Sequence, residues 1–134
     1  MTVPFIVPAY AGLLALINIF LAIRVSRLRG AVRTTIGTGG NPNLERAIRA
    51  HGNFSEYVPL ALLLLGFMEM QRGSSYLLHA LCLLLVAGRL IHASAISQTQ
   101  EKMSVRIAGT LMTQAVLIIA AIALITDYFR IAAL

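Results

Sequence analysis

Three observations predict an all-α protein built as an integral membrane four-helix bundle. Of the 134 residues 58 % are hydrophobic, and the mean hydropathy of +0.82 lies far above that of soluble chains. Four apolar stretches, about Phe5 to Ile23, Ala47 to Met70, Tyr76 to Ala95 and Ile107 to Thr126, approach the roughly 20 residues a helix needs to cross hydrocarbon. The basic residues cluster between those stretches, as topology signals do. A single domain, residues 1–134, accommodates all four.

Eleven Lys and Arg against five Asp and Glu give a net charge of +6. In a soluble domain that excess could point to nucleic acid; flanking apolar spans it does not. Arg24, Arg27, Arg29, Arg33, Arg46 and Arg49 crowd the first connection and Lys102 and Arg106 the third, whereas Arg72 and Arg130 stand alone. The positive-inside rule then places the first and third connections in the cytoplasm and both termini outside. The opening MTVPFIVPAY lacks the basic start of a cleaved signal peptide, so the first helix is expected to be retained.

In helix 1, Pro4 and Pro8 fall in the first turns, where a missing N–H matters least. Asn18 is expected to hydrogen-bond a neighbouring helix, and Arg24 to snorkel toward the interface. Thr34 to Asn43, TTIGTGGNPN, reads as a flexible loop, without the glycine-lysine spacing of a phosphate cradle. Asn43 can cap helix 2.

Helix 2 opens with the most informative stretch, ERAIRAHGNFSEYVP. Arg46, Arg49, Asn53 and Glu56 recur at intervals of three or four and so share one face. That face carries an acid and an amide toward hydrocarbon, where polar groups are costly and point to function. Pro59 lies inside the helix and is expected to bend it just beyond Glu56. Glu69, Gln71, Arg72, Gly73 and Ser74 read as a short, solvated outer turn.

Helix 3 carries His79, expected as a hydrogen-bonded structural histidine, then Cys82, a small apolar filler that has no second cysteine to pair with. Gly88 marks a close packing point. Arg89 and His92 follow one turn apart. Helix 4 begins with Arg106 and continues a polar stripe through Thr110, Thr113 and Gln114.

In hairpin order, helices 1 and 3 end where helices 2 and 4 begin, so Arg27, Arg49, Asn53, Glu56, Arg89, His92 and Arg106 fall at similar depth. Their excess of fixed positive charge predicts a cavity for an anionic ligand. A nucleophile with its base, or a zinc-type Cys and His cluster, is not apparent, and no metal is expected. Arginines around a thiol would raise its thiolate fraction, and the thiolate is the nucleophile. An anionic thiol at the polar end of a membrane site would suit apolar electrophiles or lipid peroxides. The plainer alternative leaves the arginines at lipid headgroups and Glu56 paired with Arg49 or Arg89.

ERAIRAHGNFSEYVP resembles the signature of the MAPEG family, the membrane-associated proteins of eicosanoid and glutathione metabolism, whose members carry R-x-H-x-N-x-x-E entering helix 2. Arg49, His51, Asn53 and Glu56 match that spacing. SRLR ending helix 1, AGRLIHA in helix 3 and the arginine opening helix 4 extend the resemblance over nearly the whole chain, and RAHGNF with YVPLALLL is similar to the bacterial branch. The resemblance implies a homotrimer that binds glutathione as co-substrate near the cytoplasmic side, between adjacent subunits of an inner-membrane protein. Arg27 would reach the tripeptide from the neighbouring subunit, Arg49, Asn53 and Glu56 would hold its polar groups, Arg89 and His92 would support the site, and Arg106 would act as the catalytic residue against the sulfur.

Departures narrow the activity that the resemblance implies. Gly52 stands where eukaryotic glutathione-using members often have a second arginine, Ile96 replaces a tyrosine of the prostaglandin synthase branch, Ile107 replaces its serine, and Pro59 falls one residue early. A prostaglandin-type isomerase is therefore not expected. The expectation is a glutathione-dependent transferase or peroxidase; a non-catalytic lipid-binding or ligand-binding protein of the same family is the alternative. A four-helix exporter would need its glutamate in helix 1, which here has no acid.

Overall fold

A computed structural model describes residues 3–71, 73–100 and 102–133. Among these residues the chain forms four helices and no strand: α1 Ile6–Val32, α2 Pro42–Met70, α3 Ser75–Ser97 and α4 Met103–Ala132. α1, α3 and α4 are long and apolar enough to cross a membrane. α2 is long enough too, at 29 residues, but its polar first half lowers its hydropathy. The protein is thus an all-α membrane bundle, with α2 as the helix that carries polar chemistry into it.

α2 and α3 each pack against all three other helices, whereas α1 and α4 make no contact with each other among the described residues. The core accordingly runs along α2 and α3 through Phe54, Val58, Ala61, Leu65, Leu81, Cys82 and Leu85. Leu14 and Leu21 close it from α1, and Val116 and Ala120 from α4. Cys82 is fully buried there, as expected of a small filler. The outward faces of α1 and α4 remain apolar, with Phe20 and Ile23 on one and Ile118, Ile122 and Ile125 on the other.

The ends of the helices are set by specific residues. α1 stops at Arg33, whose backbone turns left-handed at φ 55° so that its N–H reaches back to the carbonyls of Arg29 and Gly30. The cap of α2 lies two residues before the expected one: Asn41 caps the helix, its Oδ1 accepting the N–H groups of Asn43 and Leu44 at 3.0 Å each, with Pro42 in the first turn. Asn43 lies inside the helix instead. A Pro after an Asn is the stronger start signal, because it fixes φ and lacks the N–H that a first turn leaves orphaned. Pro59 lies inside α2, which continues unbroken through it to Met70.

Glu69 corrects the sequence reading most sharply. It belongs to α2, is buried, and accepts the N–H groups of Phe5 and Ile6 on Oε1 at 2.6 and 2.5 Å and that of Val7 on Oε2 at 2.8 Å. A side chain from the far end of the next helix therefore closes the first turn of α1, where no residue of α1 itself provides a side-chain cap. Gln71 and Ser74 are exposed, as expected of the turn, and Arg72 lies outside the described residues.

Polar contacts then tie the helices along their length. Ser55 donates to Asn18 Oδ1 at 3.2 Å, and Tyr10 is hydrogen-bonded to His79 Nδ1 at 2.9 Å, as the readings of Asn18 and His79 anticipated. Arg24, expected to snorkel, donates instead to Ser97 Oγ on α3. Between α3 and α4 the backbones nearly touch at Gly88 and Gly109: a methyl group on Gly109 would lie 2.7 Å from the carbonyl oxygen of Gly88 and from the amide nitrogen of His92.

Candidate functional site

Where α2, α3 and α4 meet near their Arg49, His92 and Arg106 turns, the bundle leaves a cavity of about 390 Å³. The periodicity of α2 supplies one wall, since Glu45, Arg49, Asn53 and Glu56 repeat at three or four residues, with Gly52 beside Asn53 on the same face. α3 contributes His92 and Ile96, one turn apart, and α4 contributes Arg106 from its first turn. Ile48 and Ile96 make part of the lining apolar, and Thr38 closes an edge from the glycine-rich loop. A smaller cavity of about 210 Å³ adjoins it, sharing Glu45, Arg49, Ile96 and Arg106 and adding Pro42 and Arg46.

Of the seven residues singled out in the sequence, five line the larger cavity: Arg49, Asn53, Glu56, His92 and Arg106. Glu56 and Arg106, from helices whose sequence positions are 50 apart, thus face one hollow. Arg89 lies behind the wall, buried between α2 and α4, where it donates to Asn53 Oδ1 at 2.7 Å and to the carbonyl of Gly109 at 3.2 Å. Arg27 is exposed on α1 and does not border the cavity of its own chain. His51, part of the sequence signature, does not line it either.

The simple ion-pair alternative is not what forms. Arg49 pairs with Glu45, 3.6 Å away and one turn earlier, in a pair exposed enough to contribute under about 1 kcal/mol. Neither Arg49 nor Arg89 pairs with Glu56. Glu56 therefore stands in the cavity wall, one turn beyond the amide of Asn53, as an acceptor for a cationic or donor group. Arg49 and Arg106 supply charged donors to the same space. That combination suits a ligand carrying both a carboxylate and an ammonium.

Two positions tune the shape. A methyl group added at Gly52 would meet nothing within 4 Å, so a larger side chain there would extend into the cavity. Ile96 is almost wholly buried and presents hydrocarbon where a hydroxyl-bearing ring would change the chemistry. The sequence alone did not reveal Thr38 or Ile48 as lining residues. A loop threonine and a helical isoleucine carry no signal until the fold brings them round.

Comparison with known proteins bears on this arrangement. Inner membrane protein YecN of Escherichia coli, from strain K12 and from an O6:H1 strain, is 43 % identical over 83 residues in each case. The aligned part is 62 % of this chain and 63 % of the relative, so the chain spans a little under two thirds of the relatives' length. The model of the MAPEG family matches residues 7–126, which takes in the whole cavity wall from Thr38 to Arg106 and reaches into all four helices. With that match over most of its length, added to the signature entering α2, the chain belongs to the MAPEG family.

Proposed function

We propose that this membrane protein is a glutathione-dependent transferase or peroxidase acting on apolar electrophiles or lipid peroxides. The observation that carries the reading is the shared cavity, in which Arg49, Asn53 and Glu56 of α2 face Arg106 of α4. Arg49 and Asn53 bind carboxylate, Glu56 binds ammonium, and Arg106 holds negative charge on sulfur. Glutathione supplies all of these groups together with a thiol as nucleophile. Beside a guanidinium a thiol loses its proton more readily, and attack by the thiolate displaces a leaving group such as halide to form a thioether. The apolar wall at Ile48 and Ile96 suits the electrophile.

In this proposal the protein is a homotrimer in a bacterial inner membrane, with the first and third connections cytoplasmic. Arg27, exposed and away from its own chain's cavity, serves the site of a neighbouring subunit. Mixed trimers of Arg27→Ala and Arg106→Leu subunits are then expected to regain activity that neither variant shows alone; no recovery on mixing counts against a site shared between subunits.

The direct test uses purified protein in detergent. Glutathione is expected to show thiolate absorbance at neutral pH when bound, and Arg106→Leu to remove it by lowering the thiolate fraction at least about tenfold. Conjugation of an aromatic halide should fall with it. If the unaltered protein shows neither thiolate nor conjugate, the catalytic reading fails and a ligand-binding role for the same cavity takes its place.

A further inference from the structure

Arg89 is 2 % exposed and pairs with no carboxylate among the described residues. Its Nη1 donates to Asn53 Oδ1 on α2, its Nη2 donates to the Gly109 carbonyl on α4, and its guanidinium lies 5.5 Å from the ring centre of Tyr57. Its Nε has no acceptor among the described residues. A buried cation without an anion is costly, and such groups are retained where a site uses the charge.

The use follows from donor and acceptor chemistry. A guanidinium only donates, so the Asn53 amide must turn its oxygen toward Arg89 and its NH2 away. Asn53 borders the cavity, and among the described residues its NH2 has no acceptor, its one side-chain contact being the oxygen that faces Arg89. We infer that Arg89 is a positioning residue which fixes Asn53 as a pure hydrogen-bond donor, so that the pair selects a carboxylate of the ligand. The charge behind the amide polarises its N–H bonds, and a carboxylate in front offsets the charge. An ammonium is turned away from this point and left to Glu56. The inference rests on the proposed reading of the cavity and assigns one end of the ligand within it.

Asn53→Asp separates the two ideas. It keeps an acceptor for Arg89, now charged, and replaces the NH2 with a second carboxylate oxygen. Its Tm in detergent is expected to rise by about 3 °C over the unaltered protein, while glutathione affinity measured by calorimetry falls about 30-fold. Asn53→Ala is expected to lose both stability and affinity. Arg89→Lys should retain affinity within about fivefold because one donor for Asn53 survives, whereas Arg89→Met loses about 30-fold. A Tm for Asn53→Asp no higher than that of Asn53→Ala overturns the Arg89 contact whether or not glutathione binds. A raised Tm with unchanged glutathione affinity overturns the donor assignment. If the unaltered protein binds no glutathione, the reading of the cavity fails and the Tm comparison still decides whether Arg89 holds Asn53.

Discussion

Gly109→Ala is expected to destabilise the bundle by about 3 kcal/mol, near the upper end of what overpacking a single site costs. The added methyl would sit 2.7 Å from the Gly88 carbonyl oxygen, 2.7 Å from the His92 amide nitrogen and 2.9 Å from His92 Cβ. Two of those atoms are backbone and cannot swing aside, so α3 and α4 must separate. Better helix propensity returns only about 1 kcal/mol. Gly88→Ala provides the control: its methyl would meet Gly109 O and Met112 Cβ at 3.0 Å and Thr113 Oγ1 at 3.2 Å, contacts that a few tenths of an ångström relieve. It should cost about a third as much. Thermal unfolding of the two variants in detergent checks the order, and equal losses would show that the crossing yields more easily than its geometry implies. Because His92 and Arg106 flank the crossing on α3 and α4, the Gly109 variant should also loosen ligand binding in whatever fraction still folds.

Glu69→Ala is expected to cost about 3 kcal/mol as well, since three amides of the first turn of α1 lose their acceptor at once. Glu69→Gln should recover no more than about half of that. Glutamine keeps one oxygen for the pair of amides at Phe5 and Ile6 but presents an NH2 to the Val7 N–H, and it no longer places negative charge at a helix N-terminus. Amide exchange at residues 5–7, measured with thermal stability, reports the loss locally. Unchanged exchange in the alanine variant would mean that water caps the helix adequately.

The helices were legible because hydropathy and spacing act locally. So was the polar face of α2, since Arg49, Asn53 and Glu56 lie within eight residues and needed only helical period to align. What was misread depends on groups that leave no mark in sequence. Glu69 looked like a turn residue because its partners are backbone amides 62 to 64 positions away, and an amide has the same identity at every residue. Gly109 drew no notice beside Gly88 because a helical glycine is required only by what the other helix brings opposite it. The cap falls at Asn41 and not at Asn43, two residues away, the usual ambiguity at a helix end. Arg89, grouped with the cavity residues by depth alone, sits one layer behind them, a distinction between neighbours on α3 that spacing does not encode.

The clamp of Glu69 on Phe5, Ile6 and Val7 also orders events during synthesis. Until residue 69 has left the ribosome, the leading turn of the first span has no carboxylate to receive it. The first two helices therefore mature as a joined pair. A nascent chain arrested before residue 69 has emerged would keep its opening amides exchanging freely with solvent, and one arrested after its emergence would not.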